Sequence, residues 1–296
     1  MVLPTDVDSS KPRIVDTHTH IIANDPIKYP LRPLNGGSSR DWVSDSPISA
    51  EGLIRIHDSA GIAKAVLVQP QSAYGKDNSY LADVAAKHAE RFVGVGLIDQ
   101  CAPDALDRMD YWIEQRKLVG FRLSRNHNGS QLGPGGSIED PSSYPVWKRA
   151  TELDIPLCVH ITSGEFDALR LMLERFDQAR VVLDHFAGTS VDDGPPFSKM
   201  GDLLSMSSYP NLYLKVTHRT LEILCGHEGW PSAFFDTLIE YFGSNRIAWG
   251  SNFPAAGMSL NDLVALALNA LDEASPSERS WIMSETAQSL YPTLID

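Results

Sequence analysis

The sequence predicts an α/β protein of the (β/α)8 class, a TIM-like barrel. Eight short apolar segments recur along the 296 residues, and a helix or a long loop follows each of them. Short continuous apolar runs are typical of strands that are buried on both faces of a parallel sheet. No Gly-x-Gly-x-x-Gly follows the first strand, which disfavours the alternative of an open, doubly wound sheet that binds a dinucleotide.

The predicted strands share an apolar centre and end at Gly, Pro or polar residues. They cover residues 13–20, 65–68, 92–98, 118–123, 155–160, 180–185, 212–216 and 246–250. Helices are predicted at 50–60, 78–88, 103–116, 144–153, 165–176, 199–207, 232–242, 260–274 and 277–290. Two long polar loops, 24–47 and 126–142, interrupt this alternation. We expect residues 1–12 to form a polar N-terminal arm and residues 13–296 to form a single barrel domain.

The composition narrows the class of protein. Hydrophobic residues make up 43% and charged residues 21% of the chain, as in globular domains that bury a large core. The formal net charge of −13 argues against nucleic acid or an anionic membrane as a partner. Cys101, Cys158 and Cys225 are too widely spaced for a thiolate zinc site or a disulfide framework. With no secretory signal or membrane-spanning run in the sequence, we expect a cytoplasmic protein.

Four histidines fall at the ends of predicted strands. His18 and His20 end the first strand, His160 ends the fifth and His185 ends the sixth. Because alternate residues of a strand face the same side, the first two imidazoles should point together. The C-terminal ends of barrel strands meet at one mouth, where the active sites of such barrels lie. Four imidazoles there indicate a site for catalysis or for a metal ion.

Cations and aromatic residues near the same mouth are candidates for substrate contact. Two arginines follow the fourth strand and could bind a carboxylate or a sulfonate through paired hydrogen bonds. Three more candidates lie in or just after the seventh strand, and two aromatic residues in loop 24–47 could form a wall of the pocket. The residues are Arg122, Arg125, Lys215, His218, Arg219, Tyr29 and Trp42.

Taken together, four motifs resemble the amidohydrolase superfamily, and within it the group of small lactonases and decarboxylases. The motifs are Val15-Asp16-Thr17-His18-Thr19-His20, Val159-His160, Asp184-His185-Phe186-Ala187-Gly188 and Trp249-Gly250-Ser251-Asn252-Phe253-Pro254. The resemblance implies a hydrolase that opens a small cyclic ester or cyclic amide carrying an acidic group. Two alternatives remain open: non-oxidative decarboxylation of an aromatic or enoic acid, and ligand binding without catalysis. The implied partner is a small acidic ring molecule, and a homodimer or higher homo-oligomer is compatible with this class.

The resemblance also implies roles for individual residues. His18, His20 and His160 would hold a divalent metal, most often zinc, although some lactonases of the group work without metal. His185 would polarise the reacting carbonyl or carry a proton. The residue after the eighth strand normally is an Asp that contacts the metal and takes a proton from water; here it is Asn252.

A carboxamide cannot accept a proton at neutral pH as a carboxylate can, so Asn252 has consequences for catalysis. Three interpretations follow: a disabled variant of an enzyme, a natural enzyme that uses another base such as His185, or a binder. Because the surrounding motifs are intact, the sequence alone favours the first.

Overall fold

The computed structural model describes residues 13–34, 41–124 and 137–295, and it confirms the (β/α)8 prediction. Eight parallel strands form one sheet in which each strand pairs with the next along the chain. The strands are β1 (Ile14–Thr19), β2 (Ile62–Val68), β3 (Phe92–Leu97), β4 (Gly120–Ser124), β5 (Leu157–His160), β6 (Val181–Leu183), β7 (Leu212–Val216) and β8 (Ile247–Trp249).

Hydrogen bonds between β1 and the end of β8 close the barrel. The Thr17 hydroxyl donates to the Trp249 carbonyl at 2.5 Å. Beyond the strands, Asn252 N–H donates to the His18 carbonyl at 2.7 Å, and His20 N–H donates to the Phe253 carbonyl at 2.8 Å. This seam therefore places His18, in β1, and His20, just after it, next to the segment that carries Asn252.

Helices cover the outside of the barrel. They are α1 (Asp41–Asp45), α2 (Ala50–Ala60), α3 (Gln71–Tyr74), α4 (Ser79–Lys87), α5 (Ala105–Asp110), α6 (Tyr144–Glu152), α7 (Phe166–Arg175), α8 (Gly201–Ser205), α9 (His218–Cys225), α10 (Trp230–Phe242), α11 (Leu260–Ala270), α12 (Pro276–Ser280) and α13 (Thr286–Leu290). Local signals mark both ends of α2. The Ser49 side chain accepts from Gly52 N–H at the start, and Gly61, with φ of 72°, ends the helix.

The structure corrects several predicted boundaries. The strand predicted at 180–185 ends at Leu183, because Asp184 and the next residues form a tight turn. Helix α9 follows β7 almost at once, in a segment for which the sequence predicted no helix. The predicted helices 103–116 and 277–290 each contain a π-helical stretch, at Tyr111–Gln115 and Trp281–Glu285.

The inside of the barrel is apolar at one end and charged at the other. Val15, Val66, Val93 and Val182 pack together with Tyr291 from the C-terminal segment. Farther along the strands, the buried residues include Arg122, Asp184 and Lys215, close to the mouth. The C-terminal ends of the strands thus carry the charged and titratable groups of the interior.

Parts of the predicted loops and arm lie outside the described residues. Loop 24–47 contains α1, while residues 35–40 of it are not described. The same holds for residues 125–136 of the second loop and for the whole predicted arm, 1–12. Of the helices in the described ranges, none has the length and apolarity needed to cross a membrane.

Candidate active site

A cavity of about 470 Å³ opens at the C-terminal ends of the strands. Its volume lies within the range typical of small-molecule sites. Predicted residues that line it are His20, Trp42, Arg122, His160, His185, Arg219 and Asn252. Hydroxyl groups of Ser and Thr residues line much of the remaining wall, including Thr162, Thr189 and Thr217. The cavity therefore offers imidazoles, two guanidinium groups and several hydroxyls to a ligand.

The four predicted histidines cluster at the floor of this cavity: His20, His160 and His185 line it, and His18 is fully buried beside them. The ring of His18 lies 4.9 Å from that of His20 and 4.8 Å from that of His185, measured between centroids. The His160 ring lies 5.7 Å from the His185 ring. Trp42 covers the group from the side, because its ring stacks on His20 at 5.5 Å.

A strained turn directs His185 into the cavity. His185, Phe186 and Ala187 have φ values of 53°, 53° and 54°, so three consecutive non-glycine residues adopt the left-handed conformation. Each residue of this kind costs about 1–2 kcal/mol. The turn brings His185 Nδ1 within 2.9 Å of the Thr217 hydroxyl at the end of β7. That contact holds the imidazole in a defined orientation.

Burial keeps the imidazoles of His18, His20 and His185 neutral at pH 7. Burial, followed by the positive charge of Arg122, lowers the pKa of His20 to about 4. Burial is also the main reason that the pKa of His185 falls to about 3, with Arg122 and Lys215 adding to the effect against Asp184. For His18, burial and then Lys215 hold the pKa well below its usual range. The floor of the cavity is therefore a set of neutral hydrogen-bonding rings.

A buried network of charges supports the histidines from below. Lys215 Nζ donates to Asp184 Oδ1 at 2.8 Å, and Arg122 Nε donates to Asp184 Oδ2 at 2.8 Å. Burial alone would raise the pKa of Asp184, but Lys215 and Arg122 outweigh it and hold this pKa well below its usual range. Asp184 is thus a carboxylate with a cation on each oxygen.

The contact with Lys215 determines which nitrogen of His18 carries a proton. Lys215 Nζ lies 3.2 Å from His18 Nδ1, and an ammonium group can only donate. The alternative, a bond from Nδ1–H to Asp184 Oδ1, would span 3.6 Å, which is too long for a hydrogen bond. His18 Nδ1 is therefore the acceptor, and Nε2 carries the hydrogen of the neutral ring.

The Val68 carbonyl determines which nitrogen of His20 carries the hydrogen. His20 Nδ1 lies 2.7 Å from the Val68 carbonyl, which can only accept, so Nδ1 carries the hydrogen. Asn252 lines the cavity together with His20. The remaining nitrogen of His20 is an acceptor, to which a carboxamide N–H can donate and a carboxylate cannot. Asn252 has a φ of 56°, a left-handed conformation that Asn adopts more readily than most residues.

Three side chains bring atoms of the metal-ligating type within 4.8 Å of one another among the described residues: His18, Asp184 and His185. This set differs from the predicted ligands His18, His20, His160 and Asn252. Imidazole and carboxylate are suitable zinc donors, but a bound nitrogen needs a free lone pair. His18 Nδ1 and both oxygens of Asp184 already accept from cations, and His18 Nε2 carries a hydrogen. In this arrangement His18 and Asp184 do not fit a divalent ion, although the buried His18 Nε2 has no hydrogen-bond partner among the described residues.

Three predicted substrate contacts do not line the cavity. Lys215 is only 1% exposed, and its charge faces Asp184 in the barrel interior. His218 begins α9 and is buried, while the next residues, Arg219 and Thr220, line the cavity. Tyr29 lies against Tyr80, with its hydroxyl donating to Asp83 at 2.5 Å. One further predicted contact, Arg125, lies outside the described residues.

Asp184 was not among the site residues predicted from the sequence. It forms the centre of the charge network and contributes to the cavity lining. A signal was available, because an acidic residue that ends an otherwise apolar strand needs a buried partner. Arg122 and Lys215, each within an apolar strand, are the cations that meet this need.

The chain belongs to the amidohydrolase family, whose model matches residues 15–293. An L-fucono-1,5-lactonase from Burkholderia ambifaria is 24% identical over 205 residues, which cover 68% of each chain. Two solved structures share the fold. A candidate 2-pyrone-4,6-dicarboxylic acid hydrolase from Pseudomonas putida has a TM-score of 0.75 at 18% identity, covering 97% of this chain and 100% of its own. An amidohydrolase from Burkholderia multivorans with bound zinc has a TM-score of 0.73 at 19% identity, covering 95% and 99%.

Proposed function

We propose that this protein hydrolyses a small lactone that carries an acidic group, with neutral histidines at the barrel mouth acting on water. The observation that carries the proposal is the group of His20, His160 and His185 on one cavity wall beside Arg122 and Arg219. The similarity of this chain to the L-fucono-1,5-lactonase of Burkholderia ambifaria supports the same reaction class. A cyclic amide with the same shape is the related substrate, since the attack on its carbonyl is equivalent.

The reaction requires a proton acceptor, a donor to the carbonyl oxygen and a proton for the leaving group. Water adds to the carbonyl carbon, and its proton passes to an imidazole of the cavity lining, for which His185 and His160 are the available groups. Hydrogen-bond donors at the cavity floor stabilise the negative charge that develops on the carbonyl oxygen. The ring C–O bond then breaks, and the imidazolium returns the proton to the departing oxygen, which yields a hydroxy acid.

His185 is the better supported of the two bases. Thr217 can donate to its Nδ1, in which case Nε2 carries the hydrogen, or accept from Nδ1–H, which leaves Nε2 free as a base. Only the second arrangement gives a base directed away from Thr217. Since burial lowers the pKa of His185 to about 3, the ring is unprotonated at neutral pH and is a weak base. A substrate with an activated, electron-poor carbonyl suits such a base.

The contacts of Asn252 favour a natural enzyme over a disabled one. A carboxamide can donate to the acceptor nitrogen that the Val68 carbonyl leaves on neutral His20. On this proposal Asn252 is a hydrogen-bonding residue that holds His20, and it has no part in proton abstraction. The zinc implied by the family resemblance has no role in the proposed steps, because Lys215 and Arg122 engage the ligating atoms of His18 and Asp184.

The direct experiment measures ring opening with a pH indicator. The purified protein is offered acidic pyrones, aldono-1,4- and aldono-1,5-lactones, and matched cyclic amides. We expect turnover of at least one acidic lactone, with formation of the hydroxy acid by mass spectrometry. The His185→Asn variant should lose on the order of 100-fold or more in kcat, the usual contribution of a general base.

Release of carbon dioxide from a hydroxybenzoate, without ring opening of any lactone, would replace hydrolysis by decarboxylation. Binding of acidic lactones with no turnover would indicate a binding protein. If His185→Asn kept the kcat of the wild type, His185 would not be the base, but the reaction class would stand.

A further inference from the structure

We propose that Lys215 takes the position of a metal ion in the histidine cluster, so that its charge excludes divalent cations from His18, Asp184 and His185. These three residues have the donor types and the closeness of a metal site. The ammonium group of Lys215 contacts two of them, at 2.8 Å from Asp184 Oδ1 and 3.2 Å from His18 Nδ1. The inference concerns the cluster itself and is tested without substrate, so it stands or falls apart from the proposed hydrolysis.

Burial fixes the ammonium group in place. Lys215 is 1% exposed and Asp184 is 0% exposed, so neither side chain can turn to solvent. Lys215 Nζ also approaches Cys158 Sγ of β5 at 3.9 Å. A lysine in this position acts as a permanent part of the barrel interior.

The cluster already carries a net positive charge without a divalent ion. Asp184 supplies one negative charge, and Lys215 and Arg122 each supply a positive one within hydrogen-bond distance. An added divalent ion would share Asp184 Oδ1 and His18 with a cation that cannot leave. Charge repulsion at such short range is strong in a buried site.

Removal of the Lys215 charge should turn the cluster into a metal site. In Lys215→Met, Asp184 Oδ1 and His18 Nδ1 lose their donor, while the methionine fills most of the lysine volume. Both atoms then become available as ligands beside His185. Imidazole and carboxylate together are typical zinc ligands.

The experiment compares zinc and manganese binding by the wild type and Lys215→Met, without substrate. After equilibrium dialysis against ZnCl2 or MnCl2, bound metal is measured by elemental analysis and affinity by calorimetry. We expect about one zinc per chain in Lys215→Met and at least about 100-fold weaker binding at this cluster in the wild type. Zinc should also raise the Tm of Lys215→Met, because binding to the folded state alone stabilises it.

Three controls locate the effect. In the Lys215→Met background, His18→Ala should abolish the gained site. Lys64→Met removes another buried strand lysine, 7% exposed, and should gain no metal. Lys215→Arg keeps the positive charge and should also gain none.

One zinc per chain in the wild type, lost in His18→Ala, would overturn the proposal even if Lys215→Met failed to fold. A folded Lys215→Met that binds zinc no better than the wild type would also overturn it.

Discussion

At the scale of single residues, hydrogen-bond partners define the chemistry that each side chain can perform. His18 and His20 are alike in sequence, yet Lys215 makes His18 Nδ1 an acceptor, whereas the Val68 carbonyl makes His20 Nδ1 a donor. The two rings therefore have opposite tautomers. The spacing of the two histidines predicts that their rings lie together, but it carries no information about these partners, which come from β7 and β2.

Arg219 provides the prediction that concerns substrate charge. It is exposed at the cavity and, among the described residues, has no acidic partner within ion-pair distance, in contrast to Arg122. Arg219→Gln should raise the KM for an acidic lactone by roughly 10-fold or more, the value of a charged hydrogen bond, and leave kcat nearly unchanged.

Steady-state kinetics of an acidic lactone and its neutral ester test this. The ester should show no change. Arg108→Gln, which removes an exposed arginine paired with Asp104, serves as the control. Equal effects of Arg219→Gln on acid and ester would contradict a role in charge recognition.

At the scale of elements, the turn after β6 joins fold and site. Residues 184–188 leave the strand earlier than the sequence predicts, and the left-handed backbone directs His185 toward the cavity. The motif Asp184-His185-Phe186-Ala187-Gly188 identified the residues of this turn. It could not predict the conformation, because three consecutive left-handed non-glycine residues run against local preference and are held by tertiary packing.

Ala187 offers a test of the strain in this turn. Ala187→Gly relieves a left-handed residue, which offsets the lost methyl group and the added chain entropy. Ala267, equally buried at 1% exposed but inside α11, has no strain to relieve. We expect Ala187→Gly to lower the free energy of unfolding by about 1 kcal/mol less than Ala267→Gly does, measured with urea. Equal losses would show that the turn is not strained.

At the scale of the whole molecule, the barrel was largely predictable and the pairing inside it was not. The eight apolar runs give the strands, and their C-terminal ends bring His18, His20, His160 and His185 to one place. Arg122 lies in β4, Asp184 in the turn after β6 and Lys215 in β7. Their mutual contacts depend on the register of β4 to β7, which no local pattern contains.

Low pH should reduce the free energy of unfolding, and buried His57 is the clearest cause. His57 is fully buried on α2, its ring nitrogens have no hydrogen-bond partner among the described residues, and burial lowers its pKa to about 3. The unfolded chain therefore binds a proton below pH 6.5 that the folded chain does not. The stabilising contribution of neutral His57 is complete above pH 6.5 and is lost as the pH falls toward 3.

Replacing His57 should flatten this dependence. Between pH 7 and pH 5, the wild type should lose about 2 kcal/mol more of its free energy of unfolding than His57→Leu does. Urea unfolding at the two pH values measures the difference. Met109→Leu, a buried swap without a titratable group, should keep the wild-type dependence. An unchanged dependence in His57→Leu would contradict the assigned cause.

The most direct test of the central claim compares the wild type with Asn252→Asp on the same acidic lactone. If histidines activate water and Asn252 holds His20, the carboxylate should not increase kcat/KM, and a loss of up to about 10-fold is expected because it cannot donate to His20. If Asn252 instead marks a disabled enzyme, Asn252→Asp should raise kcat/KM by about 100-fold or more, the scale of a restored general base. That gain would contradict the account.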